Sequence, residues 1–201
     1  MRVNNLMYSA MVLIFMFSGI QAADQYEVDM AHTNIGFTVK HMVIATVPGK
    51  FGDYTIDFKF NENDLSNSSV TALIKTASIN TDNQKRDDHL RSADFFDAEG
   101  YPEITFVSDA IMSKEDHYVA KGTLTIRGVS KEVELPFRLL GPVQDPWGNT
   151  RIGIEASLTI NRQDYGVSWN KTLDAGGLVV SDEVNIKLDV EMQKEGSPDE
   201  S

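Results

Sequence analysis

Residues 86–96, RDDHLRSADFF, set Arg86, Asp87, Asp88, His89, Arg91 and Asp94 directly against Phe95 and Phe96. Histidine beside aspartate is a common proton-transfer pair, so His89 with Asp87 or Asp88 could act as a base and its orienter. A second imidazole, His41 in NIGFTVKHM, shares the phase of Ile35, Phe37 and Val39, so a strand would carry it on its apolar face. A dyad built on His41 or His89 would suit a hydrolase or isomerase acting on a lipid-like substrate. The nucleophile of a hydrolase is missing from the pattern: no GxSxG elbow occurs and there is no cysteine.

The other reading of the cluster is structural. Thr81–Ser92, TDNQKRDDHLRS, lacks alternation and is rich in helix formers, with Thr81 or Asp82 placed to cap a short helix. On a helix, adjacent residues point in different directions, and mixed charges serve capping and surface pairing. Arg86 and Asp87 would then tie down nearby backbone, and Phe95 or Phe96 would anchor the turn in the core.

Metal and cofactor chemistry find little support. The histidines His32, His41, His89 and His117 form no HxH or HExxH pair, and thiolate ligands are excluded. Neither GxGxxG nor GxxxxGK[ST] occurs, so no phosphate cradle is present. No cofactor and no metal are expected.

The elements that must position these residues are strands. In EVNIKLDVEM, Val184, Ile186, Leu188, Val190 and Met192 alternate with polar neighbours, the mark of a half-buried strand. RIGIEASLTI, EVELPFRLL and YTIDFKF repeat the pattern, and weaker strands read at Tyr26–Met30, Ile35–Met42, Val70–Ile79, Ile104–Ile111 and Tyr118–Arg127. PGKFGD, NENDLSNS, RGVS, DPWGN and DAGG read as turns. Eight or nine strands on short links run antiparallel and favour a barrel or a two-layer sandwich. Asn161–Glu183 is long for a connection and is a candidate lid or mouth-lining loop.

The ends and the charge bound the setting. Arg2, the apolar run Leu6–Ile20 and the small residues before Asp24 have the layout of a signal peptide over residues 1–22. A domain over 23–193 and an acidic tail over 194–201 follow. A net charge of −12 argues against nucleic acid and against docking through a basic patch. Export without disulfides points to a periplasmic protein held by its core alone.

The strings YEVDMAHTNIGFTVKHM, VPGKFGDY, SINTDNQKRDDHLRSADFFDAEGYPEITF, GTLTIRGVSKEVELPF and NRQDYGV occur in the order seen in the YceI-like family. The chain resembles that family from about Gln25 to Met192, departing mildly at Tyr165, where members often carry Phe. The resemblance implies an all-β, lipocalin-like antiparallel β-barrel of about eight strands with one short helix. It also implies export and a polyisoprenoid or similar long-chain amphiphile bound inside, not catalysis.

On that reading, strand phase nominates Phe37, Val39, His41, Phe58, Phe106, Leu135, Phe137, Ile154, Leu158 and Ile186 as lining residues. Asn161, Arg162 and Trp169 are candidates for the cavity mouth. Phe106 lies where both faces are apolar, so phase alone does not assign it inside or outside. The expected activity is binding, with transport or storage of an isoprenoid quinone, polyprenyl lipid or comparable amphiphile. A homodimer and a membrane-protein donor or acceptor remain open as partners. The rivals are the dyad enzyme above and a stress-response or adhesion module with an empty core.

Overall fold

The structure, a computed structural model, describes residues 22–171 and 178–196. The leader expected over 1–22 lies outside the described residues except for Ala22, as do the DAGG turn and residues 197–201. Among the described residues no helix is long and apolar enough to cross a membrane.

The chain runs β1 (Asp24–Val28), β2 (Asn34–His41), β3 (Ala45–Phe51), β4 (Tyr54–Phe60), β5 (Ser69–Lys75), β6 (Ile79–Asn80) and α1 (Gln84–Arg91). It continues through β7 (Glu103–Ser113), β8 (Tyr118–Ile126), β9 (Val129–Gln144), β10 (Thr150–Asn161) and β11 (Val180–Lys194). Hydrogen bonding follows the ring β1-β4-β5-β7-β8-β9-β10-β11, and β11 returns to β1. Among the described residues that is a closed antiparallel barrel of eight strands with one α-helix, the lipocalin-like architecture. Closure removes the unpaired edges that an open sheet would leave.

One side of the wall is built from broken strands. β11 pairs with β2 through Val180–Asp189 and with β1 through Met192–Lys194, so β1 and β2 lie end to end along it. β4 and β3 continue the next position in the same way, and β5 and β6 the one after. The break between β5 and β6 is a 3₁₀ turn, Thr76–Ser78, where the buried Thr76 hydroxyl donates to the Tyr101 carbonyl at 2.9 Å. Val70–Ile79 is therefore not one strand, as alternation suggests, but two.

PGKFGD is also not the turn it resembles, because most of it belongs to β3. Pro48 sits opposite Thr38 of β2, while β6 reaches β3 only at Lys50 and Phe51. The outer side of Pro48 has no partner strand, so its missing N–H disturbs no ladder. RGVS is a two-residue hairpin turn, with Arg127 and Gly128 at φ of 49° and 72° between the paired Ile126 and Val129.

Asn83, rather than Thr81 or Asp82, caps α1, its side chain accepting from the Arg86 N–H at 3.1 Å. Asn161–Glu183 is partly structured, opening with a 3₁₀ turn at Arg162–Tyr165. β11 extends to Lys194, whose ammonium pairs with Asp24 at 2.7 Å, so the tail starts later than 194.

Candidate functional site

Alternation turns one apolar face of every strand inward, but the inward space is not filled evenly. On β11, Val190 and Met192 are buried while Val184, Ile186 and Leu188 are half-buried. β9 shows the same change from buried Phe137 to half-buried Leu135 and Val133. The barrel is packed at one end and hollow at the other.

Aromatic rings make the floor. Phe58 stacks on Phe60 at 5.7 Å and meets Phe137 edge-on at 6.4 Å, and Tyr118 stacks on Phe137 at 5.5 Å. Tyr26 completes the cluster at 6.0 Å from Phe58. Such tilted and offset pairs are the favourable arrangements of π systems. Above them lies a cavity of about 440 Å³, within the range of small-ligand sites.

Phe37, Val39, His41, Phe58, Phe106, Leu135, Phe137, Ile154, Leu158 and Ile186 all line this cavity, with Arg162 and Trp169. Phe106, unassigned by phase, faces inward and is buried. Asn161 is the correction. It is exposed, and its side chain accepts from the Gln163 N–H at 2.9 Å, capping the 3₁₀ turn. As the last residue of β10 it falls on the outward phase, between inward Ile160 and the turn.

The polar side chains on the wall are Thr81, Arg86, His89, His41 and Arg162, together with the Tyr165 hydroxyl and the Trp169 indole. All come from segments at the hollow end, around α1, the end of β2 and the β10–β11 connection. Arg162 is only 5% exposed, and its guanidinium donates to the carbonyls of Val167 (2.5 Å), Trp169 and Ser181 (both 2.9 Å). Burial lowers its pKa, and Asp182 at 3.3 Å opposes that shift. Arg162 is thus a staple that holds the connection against β11, its donors largely used by protein.

The RDDHLRSADFF cluster divides by helix face. Asp87 is buried and accepts the backbone N–H of Thr81 at 2.9 Å and its hydroxyl at 2.5 Å. Arg86 donates to the same Thr81, at its hydroxyl and its carbonyl, both at 2.7 Å. Arg91 ties the helix to the Ala77 and Ile79 carbonyls. The structural reading of the cluster misses one thing: Arg86, His89 and Leu90 also line the cavity. Their i, i+3, i+4 spacing is the signal that could have found them.

His89 meets Trp169 and Phe95 edge-on, each at 5.0 Å between centroids, which joins α1 to the β10–β11 connection over the hollow end. Arg127 reinforces that junction by donating to the Gly166 and Ala93 carbonyls.

Neither dyad of the rival enzyme is assembled. His89 Nε2 pairs with Asp94 at 2.8 Å, Asp87 is engaged by Thr81, and Asp88 by Gln84 and Arg91. The His41 ring makes no hydrogen bond among the described residues. At the floor end, Asp29, His32 and Glu191 bring ligand-type atoms within 4.8 Å of one another. Arg151 already binds Asp29 at 2.8 Å and Glu191 at 3.0 Å, so a guanidinium supplies the positive charge there.

Comparison with known proteins decides the family. The model of the YceI-like domain matches residues 26–192. The chain belongs to the YceI-like family. A UPF0312 protein of Photorhabdus laumondii is 39% identical over 145 residues, covering 71% of this chain and 76% of that protein. A UPF0312 protein of Staphylococcus aureus is 33% identical over 164 residues, 81% and 94% of the two chains. Among solved structures, the YceI protein of Campylobacter jejuni superposes with a TM-score of 0.66 at 34% identity, covering 84% of this chain and 96% of that one. BcnA of Burkholderia cenocepacia gives 0.71 at 27%, over 82% and 99%. A polyisoprenoid binding domain from Saccharophagus degradans gives 0.60 at 18%, over 86% and 98%, a likeness of fold.

Proposed function

We propose that this YceI-like protein binds one long apolar chain, isoprenoid or acyl, inside the barrel and carries or stores it in the periplasm without catalysing its conversion. The observation that carries the reading is the cavity of about 440 Å³, with an aromatic floor, aliphatic walls and polar side chains gathered at the hollow end. Each CH₂ moved from water into such a space gains about 0.8 kcal/mol. Ten carbons would contribute roughly 8 kcal/mol before the costs of association and ordering, so micromolar affinity calls for a chain longer than that.

The fold shared with a polyisoprenoid binding domain supports the ligand class. The leader-like N-terminal sequence supports the compartment. The unassembled dyads favour binding over proton transfer.

Mass spectrometry of an organic extract from natively purified protein tests the proposal. A long isoprenoid or acyl compound is expected, and returning it to stripped protein should raise the melting temperature with concentration. A clean extract, together with no thermal shift across quinones, polyprenols and fatty amides, would overturn it.

A further inference from the structure

The hairpin joining β2 to β3 is built in a way that folding alone does not favour. His41 pairs with Ala45, leaving Met42, Val43 and Ile44 as the loop, closed by the Ile44 N–H on the His41 carbonyl at 3.2 Å. Met42 and Val43 have φ of 52° and 66°. Hairpin positions of this kind favour glycine or asparagine, and a β-branched residue there is strained. Val43 and Ile44 are nevertheless 73% and 84% exposed. The Met42 N–H donates to the Val179 carbonyl at 2.9 Å, which places exposed Leu178 beside the tip.

Charge sets the same region apart. From Met30 to Gly52 the sequence holds no carboxylate, in a chain with 30 acidic residues. Lys40, next to His41 at the loop, is exposed there, as is Lys50 farther down β3, while Lys187 opposite Gly36 on the neighbouring β11 is paired with Asp189 at 3.0 Å. Glu183 is the exposed acid that β11 adds near the tip, while Asp182 is bound by Arg162 and Gln163. Immediately behind the tip, His41, Val47, Val179 and Val180 line the cavity.

We propose that the Met42–Val43–Ile44 tip, with Leu178, inserts shallowly into a lipid bilayer and docks the hollow end of the barrel on the membrane. Exposed apolar side chains grouped on one edge mark a contact site. Four side chains are too few for a stable protein partner, which needs about 800 Å² per side, but suffice for weak, reversible interfacial anchoring. Lys40, beside the tip on this carboxylate-free stretch, adds attraction to phosphate headgroups where the acidic chain is least repelled. The docking itself does not depend on the cargo; its purpose, passing an apolar chain between bilayer and barrel without crossing water, rests on the carrier reading.

The test is co-flotation of delipidated protein with phosphatidylcholine–phosphatidylglycerol vesicles that contain no isoprenoid, so its outcome is separate from that of the cargo experiment. Wild-type protein is expected to float with the vesicles. The double variant Val43→Asp/Ile44→Asp should lose at least about ten-fold in partitioning, ~1.4 kcal/mol. It should melt no lower than wild type, since aspartate tolerates the left-handed position better than valine. Val143→Asp, on an exposed apolar residue at the opposite end, should float as wild type does. Wild-type protein that stays with the dense fraction would overturn the proposal, as would equal flotation of the double variant or equal loss in Val143→Asp. A wild-type dimer made monomeric by the double variant, with no vesicle binding, would assign the tip to self-association instead.

Discussion

The carboxylate of Asp87 accepts both the backbone N–H and the hydroxyl of Thr81, at 2.9 and 2.5 Å, and both residues are buried. This joins the one helix to the chain that enters it from β6. Removing the acceptor leaves two buried donors unpaired, a loss of about 1–3 kcal/mol. Asp87→Ala should therefore unfold at lower urea, while the folded fraction retains its lipid. A variant of full stability that had lost turnover of a lipid substrate would restore the enzyme reading.

Ile186 is half-buried and faces the cavity from the middle of β11. Ile186→Trp puts an indole into space that is empty at the hollow end rather than into the packed floor. Native mass spectrometry should show co-purified lipid reduced by about ten-fold or more, equal to ~1.4 kcal/mol. The melting temperature of the stripped protein should stay near that of wild type. Unchanged lipid content would place the ligand elsewhere.

His41 offers an imidazole to the cavity with no hydrogen bond from the protein among the described residues. His41→Phe should keep the fold and shift the bound population toward plain hydrocarbon and away from quinone or alcohol ends. A site that hydrogen-bonds a ligand group discriminates more strongly than one that only packs against it. Competition between a polyprenol and its hydrocarbon analogue measures the change, and an unaltered ratio would make His41 a packing residue.

Asp145 anchors the β9–β10 turn. Burial pushes its pKa up, but hydrogen bonds from Arg151, Asn149 and Trp147 outweigh that and hold it at about 2. An unfolded aspartate titrates near ~3.9. Its stabilising contribution is therefore complete above pH ~4 and is lost as pH falls through about 2. Calorimetry should show the melting temperature falling across that window, and Asp145→Asn should start lower and fall less. Asp29 is shifted the same way, first by its hydrogen bond to His32, so some acid sensitivity will remain in the variant.

The barrel was legible wherever polar and apolar residues alternate strictly, as in β10 and β11, because each such strand faces water on one side only. β3 was not, since Pro48 and Gly49 are turn residues by composition, and only the hairpin pairing with β2 shows them to be part of a strand. The lining residues followed from phase, whereas Asn161 was named for its place at the start of the long connection, and its side chain caps the 3₁₀ turn instead of lining the cavity. Arg86 and His89 were noticed for their charge and missed as wall residues, because Arg86 both bonds Thr81 in the Asp87 network and lines the cavity, and the charge alone shows only the first role. The floor, too, was hidden. Alternation says which residues point in, not at which height the aromatic rings crowd together.

The pairing of β1 with β11 joins Tyr26 to Lys194, near the two ends of the described chain. A ribosome makes the first of these strands before the other described strands and the second after them, so the ring stays incomplete until β11 is available. Until then β10 and the β1–β2 edge lack their shared neighbour, and the container has no wall along that seam. A chain truncated before β11 would expose two unpaired edges and aggregate rather than form a smaller vessel. Only with β11 in place is the cavity enclosed along that seam.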